Sequence, residues 1–182
     1  ANRDVGRAGT VHLGGRRAEL AAAEAQVAAG KHPDKPYVLL SQPSSFDSTR
    51  APAGRHILWT YCHVPAGSAV DMTEAVTAQI ERFAPGFRDV IVRSQATTAA
   101  DLERYNENYV GGDFGGGAVN LRQMAARPVP AVNPWQTPLP GTYLCSASTP
   151  PGPGVHGMGG FHAAGLALRR HGLPMPDLGV NS

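Results

Sequence analysis

The chain has 182 residues, 42% of them hydrophobic and 16% charged, which is a globular composition with room for one well-cored domain or two small ones. Sixteen basic residues against 14 acidic ones give a formal net charge of +2, too balanced for the basic surface of a nucleic-acid-binding protein. No stretch reaches the roughly eighteen apolar residues of a membrane span, and no signal-peptide pattern opens the chain. We therefore expect a cytoplasmic protein, with peripheral attachment to a membrane left open.

The first half of the sequence predicts two helices. Residues 16–29 are rich in Ala, Glu and Leu and end at Gly30, which favours a helix with a glycine C-cap. Asp71 and Glu74 form an N-terminal box for a second helix, which Pro85 and Gly86 terminate. Its apolar face consists of Met72, Val76, Ile80 and Phe83.

Short apolar and β-branched runs predict strands between these helices, at residues 10–13, 37–42, 56–64 and 87–95. Residues 43–54 are too long for a tight hairpin turn and indicate a structured surface loop. The order of elements favours an α+β fold with a mainly antiparallel sheet covered by helices.

The cysteines and histidines do not predict a metal site. Cys62 and Cys145 lie in strand-like runs, where buried thiols are expected more than a disulfide or a metal pair. His56 and His63 fall on opposite faces of one predicted strand, and no cysteine or carboxylate completes a ligand set with the other histidines. A serine hydrolase is also disfavoured, because no Gly-x-Ser-x-Gly turn occurs.

Residues 141–164 predict a strand, a glycine-rich loop and a helix. The strand is expected at 142–146, and the helix is expected to begin near Gly157 and to end at Gly172 and Pro174. Backbone N–H groups at such a helix start, together with the helix dipole, suit an anionic or carbonyl-rich ligand. The alternative is an ordinary connection whose glycines serve only close packing of the helix.

The run from Tyr143 to Gly160, Tyr-Leu-Cys-Ser-Ala-Ser-Thr-Pro-Pro-Gly-Pro-Gly-Val-His-Gly-Met-Gly-Gly, resembles the second FAD-binding signature of phytoene-desaturase-like FAD-dependent oxidoreductases. The resemblance is to the branch of pyridine nucleotide-disulphide oxidoreductase domain proteins. Ser146 replaces the usual first glycine, and Pro153 interrupts the glycine triplet of that signature. Further segments that resemble landmarks of this family begin at Gly9, Pro43, Ala51 and Gly112.

The resemblance implies that residues 1–140 are part of a substrate-binding domain, that 141–172 are the last strand and helix of an FAD-binding α/β domain, and that 173–182 are a tail. It implies FAD contacts by Ser148, Thr149, Gly154, Val155, His156, Gly157, Met158 and Gly159. It also implies a loop on the substrate side that includes Tyr105, Asn108, Phe114 and Gly115. It identifies no catalytic residue.

Gln123, Arg127 and Pro128 resemble residues that precede the final FAD strand of the family. Arg127 is expected either to steady the cofactor electrostatically or to bind a neighbouring loop, and the second role is favoured because arginines pair readily with loop carbonyls.

The sequence contains no Gly-x-Gly-x-x-Gly after an N-terminal strand, which a dinucleotide-binding first unit would need. We therefore expect the C-terminal portion of a longer flavoprotein that moves hydride equivalents from an apolar small molecule to FAD. Its partner would be the missing N-terminal FAD-binding portion, and alone it is expected to be inactive and prone to self-association. The alternative is a stand-alone module that binds a ligand or partner and has no redox activity.

Overall fold

A computed structural model describes residues 5–118 and 120–176 of the chain. The chain forms two compact units, Ala1–Tyr105 and Asn106–Ser182. This division does not test the predicted boundary between 1–140 and 141–172, which stays a prediction.

The first unit contains a three-stranded antiparallel sheet in the order β1 (Val11–Leu13), β2 (Val38–Ser41) and β3 (Trp59–Cys62). In the register of the sheet, Val38 pairs with Leu13 on one side and with Cys62 on the other. Val38 is fully buried, so the central strand carries the core of this unit. Together with the helices, this sheet confirms the predicted α+β class.

Two predicted helices of this unit are confirmed as α1 (Arg17–Ala28) and α2 (Thr73–Phe83). The Asp71 carboxylate accepts a hydrogen bond from the Thr73 N–H at 2.8 Å, although the N-cap position is Met72. The side chain of Gln79, nearly fully buried on α2, donates to the Pro36 carbonyl at 3.0 Å. This bond joins α2 to the segment that enters β2.

Two short helices were not predicted, α3 (Ala99–Tyr105) and α4 (Leu121–Ala125). At the start of α3 the Thr98 N–H donates to Asp101 at 2.9 Å, and the Asp101 N–H donates back to the Thr98 hydroxyl at 3.1 Å. This reciprocal capping is a sequence signal that could have predicted the helix.

The strand expected at 87–95 is wrong. A 3-10 turn occupies Arg88–Val90, Ile91 is extended, and residues 91–95 belong to no helix or strand. The Glu81 carboxylate accepts hydrogen bonds from the N–H groups of Gly86 and Arg88, which holds the start of this segment in a turn against the end of α2. Without a neighbouring strand, apolar β-branched residues alone do not form a sheet.

The second unit contains α4 and α5 (Met158–Arg170), and α5 confirms the predicted helix. The strand expected at 142–146 is wrong, since only Tyr143 forms an isolated bridge, with Gln136. The Leu144 N–H donates to the Trp135 carbonyl at 2.7 Å, so this segment closes a short irregular hairpin with the residues just before it. A longer strand would need partners that the described part of this unit does not offer.

Candidate functional site

The start of α5 presents backbone N–H groups that are not used by the helix. Gly157 enters the helix in the left-handed region, at φ 63°, and contributes no side-chain cap. The Met158 N–H donates to Nδ1 of His156 at 3.0 Å, whereas the Gly159 and Gly160 N–H groups have no partner among the described residues. Together with the helix dipole, these two amides make a weakly positive site.

The loop before α5 is folded around Thr149, which is only 1% exposed. Its N–H and its hydroxyl both donate to the Ser146 carbonyl, at 3.0 and 2.7 Å. The Gly152 N–H in turn donates to the Thr149 carbonyl at 2.8 Å. This loop and the first turn of α5 border a shallow cavity of about 100 Å³ that is open to solvent. The cavity is lined by Cys145, Ser146, Ala147, Gly152, Gly154, His156, Gly157, Met158, Gly159 and Gly160.

Gly159 allows α5 to lie directly against this loop. A Cβ at Gly159 would lie 3.0 Å from the Thr149 hydroxyl oxygen and 3.1 Å from the Cys145 carbonyl oxygen. A Cβ at Gly160 would meet nothing within 4 Å. The close-packing role of a glycine is therefore present at Gly159, while Gly160 faces open space.

A second glycine-rich loop packs on the first. The Asp113 carboxylate shapes this loop by accepting hydrogen bonds from Gly115 N–H at 2.7 Å and Gly117 N–H at 2.9 Å. A Cβ at Gly116 would lie 2.7 Å from the Ser148 hydroxyl oxygen, so the two backbones are in close contact. The predicted residues Gly115 and Ser148 thus belong to neighbouring loops.

Arg127 lies between these two loops and is only 5% exposed. Its Nη2 donates to the carbonyls of Gly117 and Gly116, at 3.3 and 3.5 Å. On the other side, a Cβ at Gly152 would lie 2.5 Å from Nη1. The contact with loop carbonyls supports the favoured role of Arg127. Its burial beside the cavity had no local sequence signal, because burial depends on how the two loops meet.

The remaining predicted residues are dispersed. Val155 is fully exposed, and a Cβ at Gly154 would meet the ring of the neighbouring His156. Phe114 is exposed on the second loop, and Asn108 donates hydrogen bonds to Asn106. Tyr105 is exposed at the end of α3, in the first unit.

The burial expected for both cysteines is wrong for Cys145, which is exposed because its segment is not a buried strand. Cys62, on β3, is partly buried, and this burial raises the pKa of its thiol to about 11. Both thiols are free. In the part of the chain that the structure describes, no group of three His, Cys, Asp or Glu side chains is arranged to hold a metal ion. No helix in that part is long and apolar enough to cross a membrane.

The known proteins that the chain resembles are named as oxidoreductases or dehydrogenases. No family model and no solved structure matches the chain. It is 35% identical over 147 residues to the mouse and rat pyridine nucleotide-disulfide oxidoreductase domain-containing protein 2. The matched stretch covers 74% of this chain and 25% of each relative. It is 32% identical over 130 residues to the 4,4'-diapolycopen-4-al dehydrogenase of Metabacillus indicus. That match covers 68% of this chain and 26% of the dehydrogenase.

The chain therefore spans about a quarter of the length of the curated relatives that it matches. These similarities support an oxidoreductase family for the chain.

Proposed function

We propose that the chain is part of a phytoene-dehydrogenase-like FAD-dependent oxidoreductase, which removes hydride equivalents from an apolar small molecule in the cytoplasm. The observation that carries the proposal is the pair of unpartnered amides, Gly159 and Gly160, at the cavity beside a loop that resembles an FAD-binding signature. The similarity to two kinds of oxidoreductase supports the same function.

The residues around the cavity fit one part of a flavin cofactor. No carboxylate lines the cavity, and half of its lining residues are glycines, which allow a planar or polar group to approach closely. A cavity of about 100 Å³ accommodates only a portion of FAD, so the remaining contacts are assigned to other parts of a longer protein.

When bound, FAD would supply the hydride-accepting chemistry. The residues of this chain would bind and orient it. The Gly159 and Gly160 amides would donate hydrogen bonds to the carbonyl-rich pyrimidine end of the ring, and the α5 dipole would favour negative charge there. The loop of residues 113–117, which the Asp113 carboxylate shapes, would hold the exposed aromatic side chain of Phe114 toward the apolar substrate.

The test compares this 182-residue chain with the product of its entire reading frame. We expect the chain alone to be colourless after gel filtration, because the diphosphate and adenosine contacts of FAD come mainly from a Gly-x-Gly-x-x-Gly unit. We expect the product of the entire reading frame to contain that unit and to purify yellow, with one FAD per chain. The readout is the visible flavin spectrum together with the released cofactor.

The opposite result would favour the stand-alone binding module. If the reading frame adds no dinucleotide-binding unit and its product has no flavin absorption, the oxidoreductase proposal is wrong.

A further inference from the structure

The sheet of the first unit has one buried face and one face with aromatic rings. Val38 and its partner Cys62 lie on the buried face, and side chains alternate between faces along a strand. The neighbouring positions on β3 therefore place Trp59 and Tyr61 on the opposite face, where Trp59 is 54% exposed. A row of rings starts there and consists of Trp59, Tyr61, His63, Tyr37 and His12.

Each ring of this aromatic row lies next to the following one. The ring centroids of Trp59 and Tyr61 are 5.5 Å apart, and those of Tyr61 and His63 are 6.0 Å apart. The ring of Tyr37 lies 5.6 Å from that of His63 and 5.5 Å from that of His12. Rings at such separations are in contact, so an electron can pass from one to the next. The row thus connects Trp59 with Tyr37.

The two ends of the row differ in how they handle a proton. Trp59 is exposed, and a tryptophan that loses one electron becomes a radical cation. With the His12 ring proton on Nε2, the Tyr37 hydroxyl donates a hydrogen bond to Nδ1 of His12, which is a base. A tyrosine that loses its proton together with an electron is easier to oxidise than tryptophan at neutral pH. An oxidising equivalent that enters at Trp59 is therefore drawn to Tyr37.

We propose that the aromatic row is a relay that moves single oxidising equivalents from Trp59 to Tyr37. The oxidant is an oxygen-centred radical from solution, such as a peroxyl radical, which takes one electron from Trp59 and one proton from water and becomes a hydroperoxide. The Trp59 radical cation then regains an electron through the rings of Tyr61 and His63. The Tyr37 O–H bond breaks in this step, and its proton passes to Nδ1 of His12. The products are restored tryptophan, a neutral tyrosyl radical and an imidazolium.

The relay needs no flavin, so its test is independent of the proposed function. The 182-residue chain is oxidised in a laser-flash experiment by photogenerated tris(bipyridine)ruthenium(III), which stands in for the oxygen-centred radical. Transient absorption distinguishes tryptophan from tyrosine radicals, and electron paramagnetic resonance of frozen samples identifies the final radical. The chain contains two tryptophans, and Trp135, in the second unit, is the matched control.

We expect the tryptophan signal of the unsubstituted chain to decay as the tyrosyl signal rises, and to decay more slowly in deuterium oxide because a proton moves in the same step. Trp59→Phe and Tyr37→Phe should each abolish this conversion, whereas Trp135→Phe should leave it unchanged. His12→Phe keeps a ring but removes the proton acceptor, and it should slow the conversion about tenfold or more.

Circular dichroism confirms that each variant is folded. His12 is exposed, so its replacement keeps the relay testable if replacement of the half-buried Tyr37 unfolds the chain. The inference is overturned if the tyrosyl radical forms equally fast in folded Tyr37→Phe, or if folded His12→Phe converts at the rate of the unsubstituted chain. It is also overturned if Trp59→Phe and Trp135→Phe lower the tyrosyl yield equally, since no route would then start at Trp59.

Discussion

Single side chains of this protein differ sharply in their access to solvent, and the two cysteines illustrate this best. Cys62 lies on β3, where burial raises the pKa of its thiol to about 11. Cys145 lies exposed at the cavity beside α5. Because the thiolate is the reactive form, the two residues should differ in reactivity.

We predict that iodoacetamide at pH ~8 alkylates Cys145 and leaves Cys62 unmodified. At that pH a thiol whose pKa is about 11 is ionised in about one molecule in a thousand. Peptide mass spectrometry over time measures both sites in the same sample, and a sample unfolded in urea is the control in which both should react. Equal rates at the two sites in the folded chain would contradict the described environments. A ligand that fills the cavity should slow the reaction of Cys145 alone.

Among the structural elements, α5 depends on how closely its first turn approaches the preceding loop. Gly159 faces Thr149, which is locked by two hydrogen bonds to Ser146, whereas Gly160 faces open space. These two neighbouring glycines of one helix thus provide a matched pair of substitution sites, one in close contact and one open.

We expect Gly159→Ala to lower the free energy of unfolding by about 1–3 kcal/mol, because the added methyl group overpacks the contact with Thr149 and the Cys145 carbonyl. Gly160→Ala should raise it by about 0.5–1 kcal/mol, because alanine restricts the unfolded chain and favours the helix. Urea denaturation measures both. A stabilising Gly159→Ala would show that α5 can move away from the loop without loss.

The end of α2 depends on the Glu81 carboxylate. Hydrogen bonds from the N–H groups of Arg88 and Gly86 hold the pKa of Glu81 below its usual range. A carboxyl group whose pKa is lowered by folding stabilises the protein above its unfolded pKa, and this contribution disappears as the pH falls through the folded value.

We therefore predict that the unsubstituted chain is more stable than Glu81→Gln at neutral pH and that the difference shrinks in acid. The loss should begin below about pH 4.5, the ordinary pKa of glutamic acid, and should be complete below the lowered value. Thermal unfolding from pH 7 to pH 3 measures the difference, and Glu107→Gln, at an exposed position, controls for the change in net charge. A difference that stays constant with pH would exclude this role of Glu81.

For the whole molecule, the most conspicuous surface feature is a run of exposed apolar residues after the turn that Glu81 caps. Val90 and Val92 are 70% and 73% exposed, and Ile91 between them is also exposed. Adjacent exposed apolar side chains mark surfaces that associate with other protein or with themselves.

We expect the 182-residue chain to self-associate as its concentration rises, and the double substitution Val90→Lys and Val92→Lys to weaken that association. Sedimentation velocity measures the effect. Val132→Lys, at a position that is 94% exposed and outside this run, is the control and should leave association unchanged. A chain that remains monomeric at high concentration would argue against an interaction surface at 90–92.

Local patterns predicted much of the secondary structure. The helices α1, α2 and α5 follow from composition, capping residues and terminal glycines, because these features act within a few residues of each other. The glycine-rich connection before α5 was predicted for the same reason. The strand expected at 87–95 does not form, because Glu81 holds the Gly86 and Arg88 N–H groups in a turn and no described strand lies beside this segment, and neither reason is visible in the local pattern.

The sequence by itself determined the α+β class, the position of α5 and a glycine-rich loop suited to a polar or anionic ligand. Only the tertiary structure decided which residues meet at that loop: Gly116 against Ser148, and Arg127 buried behind Gly152. Helix capping and turn formation are set by neighbours along the chain, whereas strand pairing and the burial of a charge depend on segments that are distant in sequence. For that reason the segment 142–146 has the composition of a strand and yet forms a single bridge.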